Sequence, residues 1–366
     1  FPINYNINVL KMILEANCGT TAMGVMPHTD IEEALKLVLS LDIPFWPQLP
    51  RISYYHDMYA QTAQNFPGII TDVQNKKLSF STARFQEELW DYSNKIGQEE
   101  TFALPHEYAT VFDRFLTLDL RRFHAIRGQS AGPVSLGFKV MDEENKPIIY
   151  NSEVKALLFD FIQRKVNLQY QILSKKNPNA FVWIDDPALS YVFSSLYGYH
   201  DRQAKEDYHA LLQGLEGPKG LHLCTNVNLP YLLELGIEIL SFDAFQMGLM
   251  PKEYAEAAAK FLRGGGIICW GIVPTETAAL SKETPETLAQ LLMDYWKAIS
   301  QNTGLSENQI AEQSLLAPAK CCIKDVWRSS VDSAQECASD LEMQSVNKAF
   351  AYLKSISAIL KDRYKL

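Results

Sequence analysis

Short apolar runs alternate with stretches of helical periodicity from one end of the chain to the other, the pattern of a parallel α/β architecture. Strands are predicted at residues 20–26, 43–48, 123–128, 180–186, 220–225, 237–243, 266–272 and 314–319. Between them lie amphipathic segments. In 30–41, Ile31, Ala34, Leu35 and Val38 recur at helical spacing behind Thr29 and Asp30, residue types that start helices. The last segment carries Val346, Phe350, Leu353, Ile356 and Leu360 on one face. Eight strands, each followed by a helix, predict a (β/α)8 TIM barrel formed as a single domain over residues 1–366. No heptad, internal repeat or low-complexity tract interrupts the alternation.

One connection breaks the rhythm. Residues 49–120, after the second predicted strand, form an excursion far longer than a βα unit needs. Within it Ile69–Phe80 alternates around Asn75-Lys76-Lys77 like a hairpin, and Phe85–Ile96 reads as a helix. TIM barrels build their sites from loops at the C-terminal ends of the strands, so this long insertion of hairpin plus helices is expected over the barrel mouth.

Composition narrows the class. At 366 residues, 47% hydrophobic and 21% charged, the chain is an ordinary globular protein with room for a large core. A net charge of −9 argues against nucleic acid or an anionic membrane as partner, and no apolar stretch approaches a membrane span. Val9–Leu14 is too short for a signal peptide and is broken by Lys11. The six cysteines are scattered without a C-x-x-C pair, which fits a reduced, cytoplasmic setting.

The chemistry concentrates at residues 220–226, where His222 and Cys224 lie two apart on a strand and so share a side. Other ionisable residues fall at the ends of other strands: Asp185 and Asp186 after the fourth, Asp243 after the sixth, Cys321 and Cys322 after the eighth. A barrel brings those ends together. One His, Cys residues and a carboxylate suit tetrahedral zinc, with one ligand weak enough to yield to substrate. The plainer alternative makes Asp243 a helix cap and Cys321 a small buried hydrophobe. Other features read plainly. Gly264-Gly265-Gly266 precedes a strand and is no phosphate cradle, His124 is structural at a strand start, and Cys18, Cys269 and Cys337 are core or barrel-wall residues. His28, after a strand end, is a candidate substrate contact.

These residues sit in motifs that resemble the catalytic barrel of cobalamin-independent methionine synthase, in the superfamily that includes uroporphyrinogen decarboxylase. They are Thr21-Ala22-Met23-Gly24-Val25-Met26-Pro27-His28-Thr29, Phe45-Trp46-Pro47-Gln48-Leu49-Pro50, Gly128-Gln129-Ser130-Ala131-Gly132-Pro133, Ile184-Asp185-Asp186-Pro187-Ala188-Leu189, His222-Leu223-Cys224 and Trp270-Gly271-Ile272-Val273-Pro274-Thr275. The resemblance implies a zinc site of His222, Cys224, Asp243 (where the family has Glu) and Cys321, with Cys322 the alternative for the last. It implies a thiol acceptor, homocysteine, with its carboxylate against the Met23-Gly24-Val25 turn and its ammonium between Gln48 and Asp185.

The departures point to a particular donor. The family's Ser is Val25, its Glu is Gln48, and the His acid of folate-using members is Ile272. The chain resembles the short, core-only type, with no N-terminal half expected. A methylated folate leaves only if protonated, whereas methylcobalamin or a methylated corrinoid protein needs no proton. The expectation is a zinc-dependent S-methyltransferase of the methionine synthase kind with a corrinoid donor or partner protein. A tetrapyrrole decarboxylase, suggested by Trp46-x-Gln48-x-x-Arg51, would demand a more basic mouth. A third reading is a barrel that binds a corrinoid or thiol without turnover.

Overall fold

The computed structural model describes residues 14–225, 227–323 and 334–366, with side chains of the last helix from residue 341 onward; Cys337 lies outside the described side chains. Seven parallel strands form one curled sheet in the order β1-β9-β8-β7-β6-β5-β4. They are β1 (Gly19–Thr20), β4 (Ile126–Ala131), β5 (Ala180–Asp185), β6 (Lys219–Leu223), β7 (Ile239–Asp243), β8 (Ile267–Val273) and β9 (Ser314–Pro318). Helices follow the strands and cover the outer face. One of them, Ser152–Ser174, lies against β4 and β5. No helix among the described residues is long and apolar enough to cross a membrane.

The second predicted strand is the exception, and the architecture is therefore TIM-barrel-like without being a closed eight-stranded barrel. Residues 43–48 lie between β1 and β4 but form only isolated bridges, Phe45 to Arg127 and Val25 to Gln48. Pro44 and Pro47 explain this, since neither has an N–H to give to a ladder. What remains is a row of single bonds. Ile43 N donates to Thr20 O at 3.0 Å, Arg127 N to Pro44 O at 2.9 Å, Gln48 N to Gly24 O at 2.7 Å and Met26 N to Gln48 O at 3.0 Å. The first predicted strand shrinks likewise to β1, and the third begins three residues later than its apolar run, at Ile126.

Local signals elsewhere were sound. Asp30 caps the helix Ile31–Val38 by accepting from Glu33 N, and Val346, Phe350, Leu353, Ile356 and Leu360 are all buried on the last helix. In the excursion, β2 (Ile69–Asp72) and β3 (Lys77–Phe80) pair antiparallel around residues 73–76. The short helix Met58–Ala63 packs onto β4, where Thr62 Oγ1 accepts from Ala131 N at 3.0 Å. Inside the curl, Met23, Ile43, Phe181, Trp183, Ile239, Cys269, Leu315 and Ala317 form an inner core.

Candidate metal centre

Strand register decides which residues meet. Asp185 pairs with His222, His222 with Ser241, and Ser241 with Cys269, so one rung of the sheet runs across four strands. Paired residues in a parallel sheet point to the same face, and this rung points inward. Cys224 stands just past the end of β6. The ligand atoms of Asp185, His222 and Cys224 all lie within 4.8 Å of one another, the one such group found among the described residues.

Two polar atoms of this group are unsatisfied. His222 is fully buried; its Nδ1 lies 2.9 Å from Ser241 Oγ, and its Nε2 has no hydrogen-bond partner. The ring stacks on Trp183 at 5.6 Å. Asp185 Oδ1 is also buried without a partner. Buried polar atoms are nearly always paired, so two orphans facing one thiol fit a bound cation. Neutral imidazole, thiolate and carboxylate form a donor set suited to zinc.

Burial also sets the protonation states. It pushes His222 down to about 3, helped by the positive charge of Arg127, so the imidazole is neutral and able to ligate. It pushes the Cys224 thiol up to about 12, with the Asp185 charge adding to the effect. Asp185 rises to about 7, by burial and then the charge of Asp186, partly offset by Arg127. Without a cation Cys224 keeps its proton, as does Asp185 below neutrality, and a divalent ion would reverse that order.

The adjacent Asp186 is spent on structure. It is fully buried, accepts from Val134 N at 3.1 Å and Ser135 N at 2.6 Å, and takes the hydroxyl of Tyr208. A Cβ at Gly132 would fall 2.2 Å from its carboxyl carbon, so this close approach needs a glycine. Period-2 alternation thus separates a pocket carboxylate from a helix-anchoring one.

Of the remaining candidates, Cys321 packs against Val25, Met58, Ala131 and Ile323, and its thiol is raised by burial and then by the charges of Asp185 and Cys224. Cys322 belongs to a different cluster, with Ala22, Met26 and Phe350, and is shifted by burial alone. Asp243 ends β7 near the group but outside it. Its Oδ1 accepts from Gln246 N at 3.1 Å, and Lys320 Nζ stands 3.7 Å from its Oδ2. Met23 lies in the inner core. Gly24 gives its carbonyl to Gln48 N and leaves no room for a side chain, since a Cβ would meet Gln129 at 2.4 Å. Gln48 is buried and bonded through Nε2 to Gln61 Oε1 at 2.9 Å. Ile272 is wholly buried, and His124 Nε2 accepts from Glu15 N, a structural bond.

Two residues escaped the sequence reading. Arg127 is fully buried at the heart of the curl, stacked 3.7 Å over Trp183 and 4.8 Å over Phe45, and it donates to Gly128 O, Gln129 Oε1 and Ala22 O. Burial lowers it to about 9. Its only trace in sequence is a charge inside an apolar strand. Tyr59, from the excursion, packs on the same cluster as Cys321, and its hydroxyl is raised well above the usual range by burial and then by the charges of Asp185, Asp186, Asp57 and Cys224. Nothing in the sequence distinguishes it from any helical Tyr.

No protein-family model and no curated protein matches the chain. Among solved structures, a methyltransferase from Methanosarcina mazei is similar, with a TM-score of 0.52 and 14% identity over 95% of this chain and 94% of that one. At that identity the likeness establishes a shared fold across nearly the whole of both chains.

Proposed function

We propose that this chain is a zinc-dependent methyltransferase that moves a methyl group onto a thiol, with homocysteine as first candidate acceptor and a methylated corrinoid as donor. The observation that carries it is the Asp185–His222–Cys224 group, with ligand atoms within 4.8 Å and two orphaned buried acceptors. The structural likeness to a methyltransferase supports the reaction class.

His222 and Cys224 would hold the ion, with up to two further ligands drawn from Asp185, Cys321 and Asp243. Zinc would supply Lewis acidity that brings a substrate thiol to thiolate at neutral pH. The chain's own part is orientation. With the ion on Nε2, Nδ1–H would donate to Ser241 Oγ, 2.9 Å away, and so fix the ring. A methylated corrinoid would supply an electrophilic methyl group, the sulfur taking the methyl carbon and the corrinoid keeping the bonding electron pair. No proton would be needed at the leaving group. Asp185, if released from the metal, would instead face the acceptor's ammonium.

Metal content tests the core of the reading. The purified protein should hold about one zinc per chain, and Cys224→Ser should lower that sharply. Undiminished zinc in the variant refutes the site. Methionine formed from homocysteine and methylcobalamin, and not from methyltetrahydrofolate, tests the donor, since a positioned acid is worth about 10²–10⁴-fold to the folate reaction.

A further inference from the structure

Away from the metal group, a second cavity of about 140 Å³ lies between the excursion and the outer face of the barrel wall. Its body is apolar, with Trp46, Phe102, Phe112, Leu168 and Ile172 among the walls. One side is polar and unsatisfied. Lys165, on the helix Ser152–Ser174, is buried and lines the cavity, and its Nζ reaches two neutral acceptors, Gln61 O at 2.7 Å and Gln64 Oε1 at 3.4 Å. Among the described residues no carboxylate lies within ion-pair distance of it. The acid at the cavity wall, Asp113, is half exposed and turned to His106 at 3.4 Å.

Beside Lys165 is a second unmet group. Gln61 donates from Nε2 to Tyr108 O at 2.8 Å, and a carbonyl can only accept, so the orientation of that amide is determined. Gln61 Oε1 therefore receives Nε2 of Gln48, and Gln48 Oε1 is left buried without a donor. A buried ammonium lacking a counter-ion and a buried carbonyl lacking a donor are both costly, and they meet through the same Gln61. A ligand with one acid and one donor would satisfy both. Burial holds the ammonium down at about 7, a state that a bound anion would reverse.

We infer that this cavity binds a small carboxylic acid with an apolar body the size of one ring and a hydroxyl or amino group, its carboxylate against Lys165 and its donor toward Gln48. The size follows from comparison with an engineered apolar cavity of about 150 Å³ that takes up benzene. The site shares Gln48 with the residues that the family resemblance assigns to the thiol acceptor, but it lies apart from the metal group and stands whether or not the methyl-transfer reading holds. Because Gln61 and Phe102 belong to the excursion and Gln48, Leu168 and Lys165 to the barrel wall and its helix, the ligand would join the two.

The probe is 4-hydroxybenzoate, with 4-hydroxybenzyl alcohol as its uncharged counterpart, titrated by calorimetry into the whole chain and followed by thermal shift. The acid should bind one per chain and raise the melting temperature, and the alcohol should bind at least about tenfold more weakly. Lys165→Gln should remove that preference. In case that variant folds poorly, Ala103→Phe, which fills the cavity from a half-buried loop position, should abolish binding of the acid. No binding of the acid at millimolar concentration, equal binding of acid and alcohol, or full binding in either folded variant overturns the inference.

Discussion

At the scale of single residues, the metal group is a matter of which atoms are left unpaired. Asp185 and Asp186 are neighbours with the same side chain, yet Asp186 has every acceptor engaged and Asp185 Oδ1 has none. Substitutions should divide accordingly. Gly132→Ala, whose Cβ would strike the Asp186 carboxylate, should destabilise the fold by about 1–3 kcal/mol in denaturant unfolding. Asp185→Asn should leave stability unchanged or raised while altering zinc content. Ser241→Ala should weaken zinc binding by about 10–100-fold with the ligands intact, because His222 loses the partner that selects its tautomer. Competition with a chromophoric chelator measures this, and unchanged affinity would deny Ser241 that role.

Zinc uptake should also expel protons. With Cys224 at about 12 and Asp185 at about 7 in the metal-free pocket, both groups carry protons below neutrality that the ion must displace. Apparent affinity should therefore climb between about pH 6 and 8, and weakly buffered titrations should acidify. A pH-independent affinity would mean that neither group is a ligand.

At the scale of elements, helix Met58–Ala63 shows how the excursion is tied to the barrel. Thr62 Oγ1 accepts from Ala131 N at 3.0 Å and lies 3.2 Å from Ser130 Oγ, and the neighbouring Met58 packs with Val25 and Ala131. Thr62→Val keeps the shape and removes the acceptor, leaving a buried N–H unpaired at about 1–3 kcal/mol. Hydrogen exchange should accelerate at residue 131 and across 58–63. If protection there is unchanged, the helix is held by packing alone. Hairpin and helices in this region were legible locally, from Asn75-Lys76-Lys77 and from helical periodicity. The failed strand at 43–48 was legible too, since Pro44 and Pro47 cannot donate, but its apolar run outweighed them in the reading.

At the scale of the whole molecule, burial of charge leaves a signature in stability. Metal-free Asp185 titrates near 7, and Asp57 and Asp186 near 6, all raised from 3.8 chiefly by burial. Between those values the native protein holds protons that the unfolded chain has released. His222, held at about 3 against an ordinary 6.5, works in the opposite sense, but the three carboxyls outweigh it, and stability of the zinc-free protein should fall as pH rises from about 4 to about 7. Lys165 works in the opposite sense above neutrality, because its folded value of about 7 lies below the ordinary 10.5 and the unfolded chain binds the extra proton. Urea midpoints across pH measure both limbs, and a rise from pH 4 to 7 would contradict the first.

The order of strands and helices was written in the chain, because hydrophobic period is a local property and needs no partner to be read. So was the spacing of His222 and Cys224, since two residues apart on a strand means one side. Asp185, marked as a strand-end acid and tied to the site by family resemblance, was legible as a candidate but not as a neighbour. Tertiary structure decided the rest. The register Asp185–His222–Ser241 is a relation between strands distant in sequence, and only the sheet states it. Cys321 comes within electrostatic reach of Cys224 while the adjacent Cys322 turns into another cluster, a choice made by one backbone step. Arg127, Tyr59 and Lys165 were invisible for the same reason. What makes them notable is burial, and burial belongs to the packed molecule rather than to any stretch of the chain.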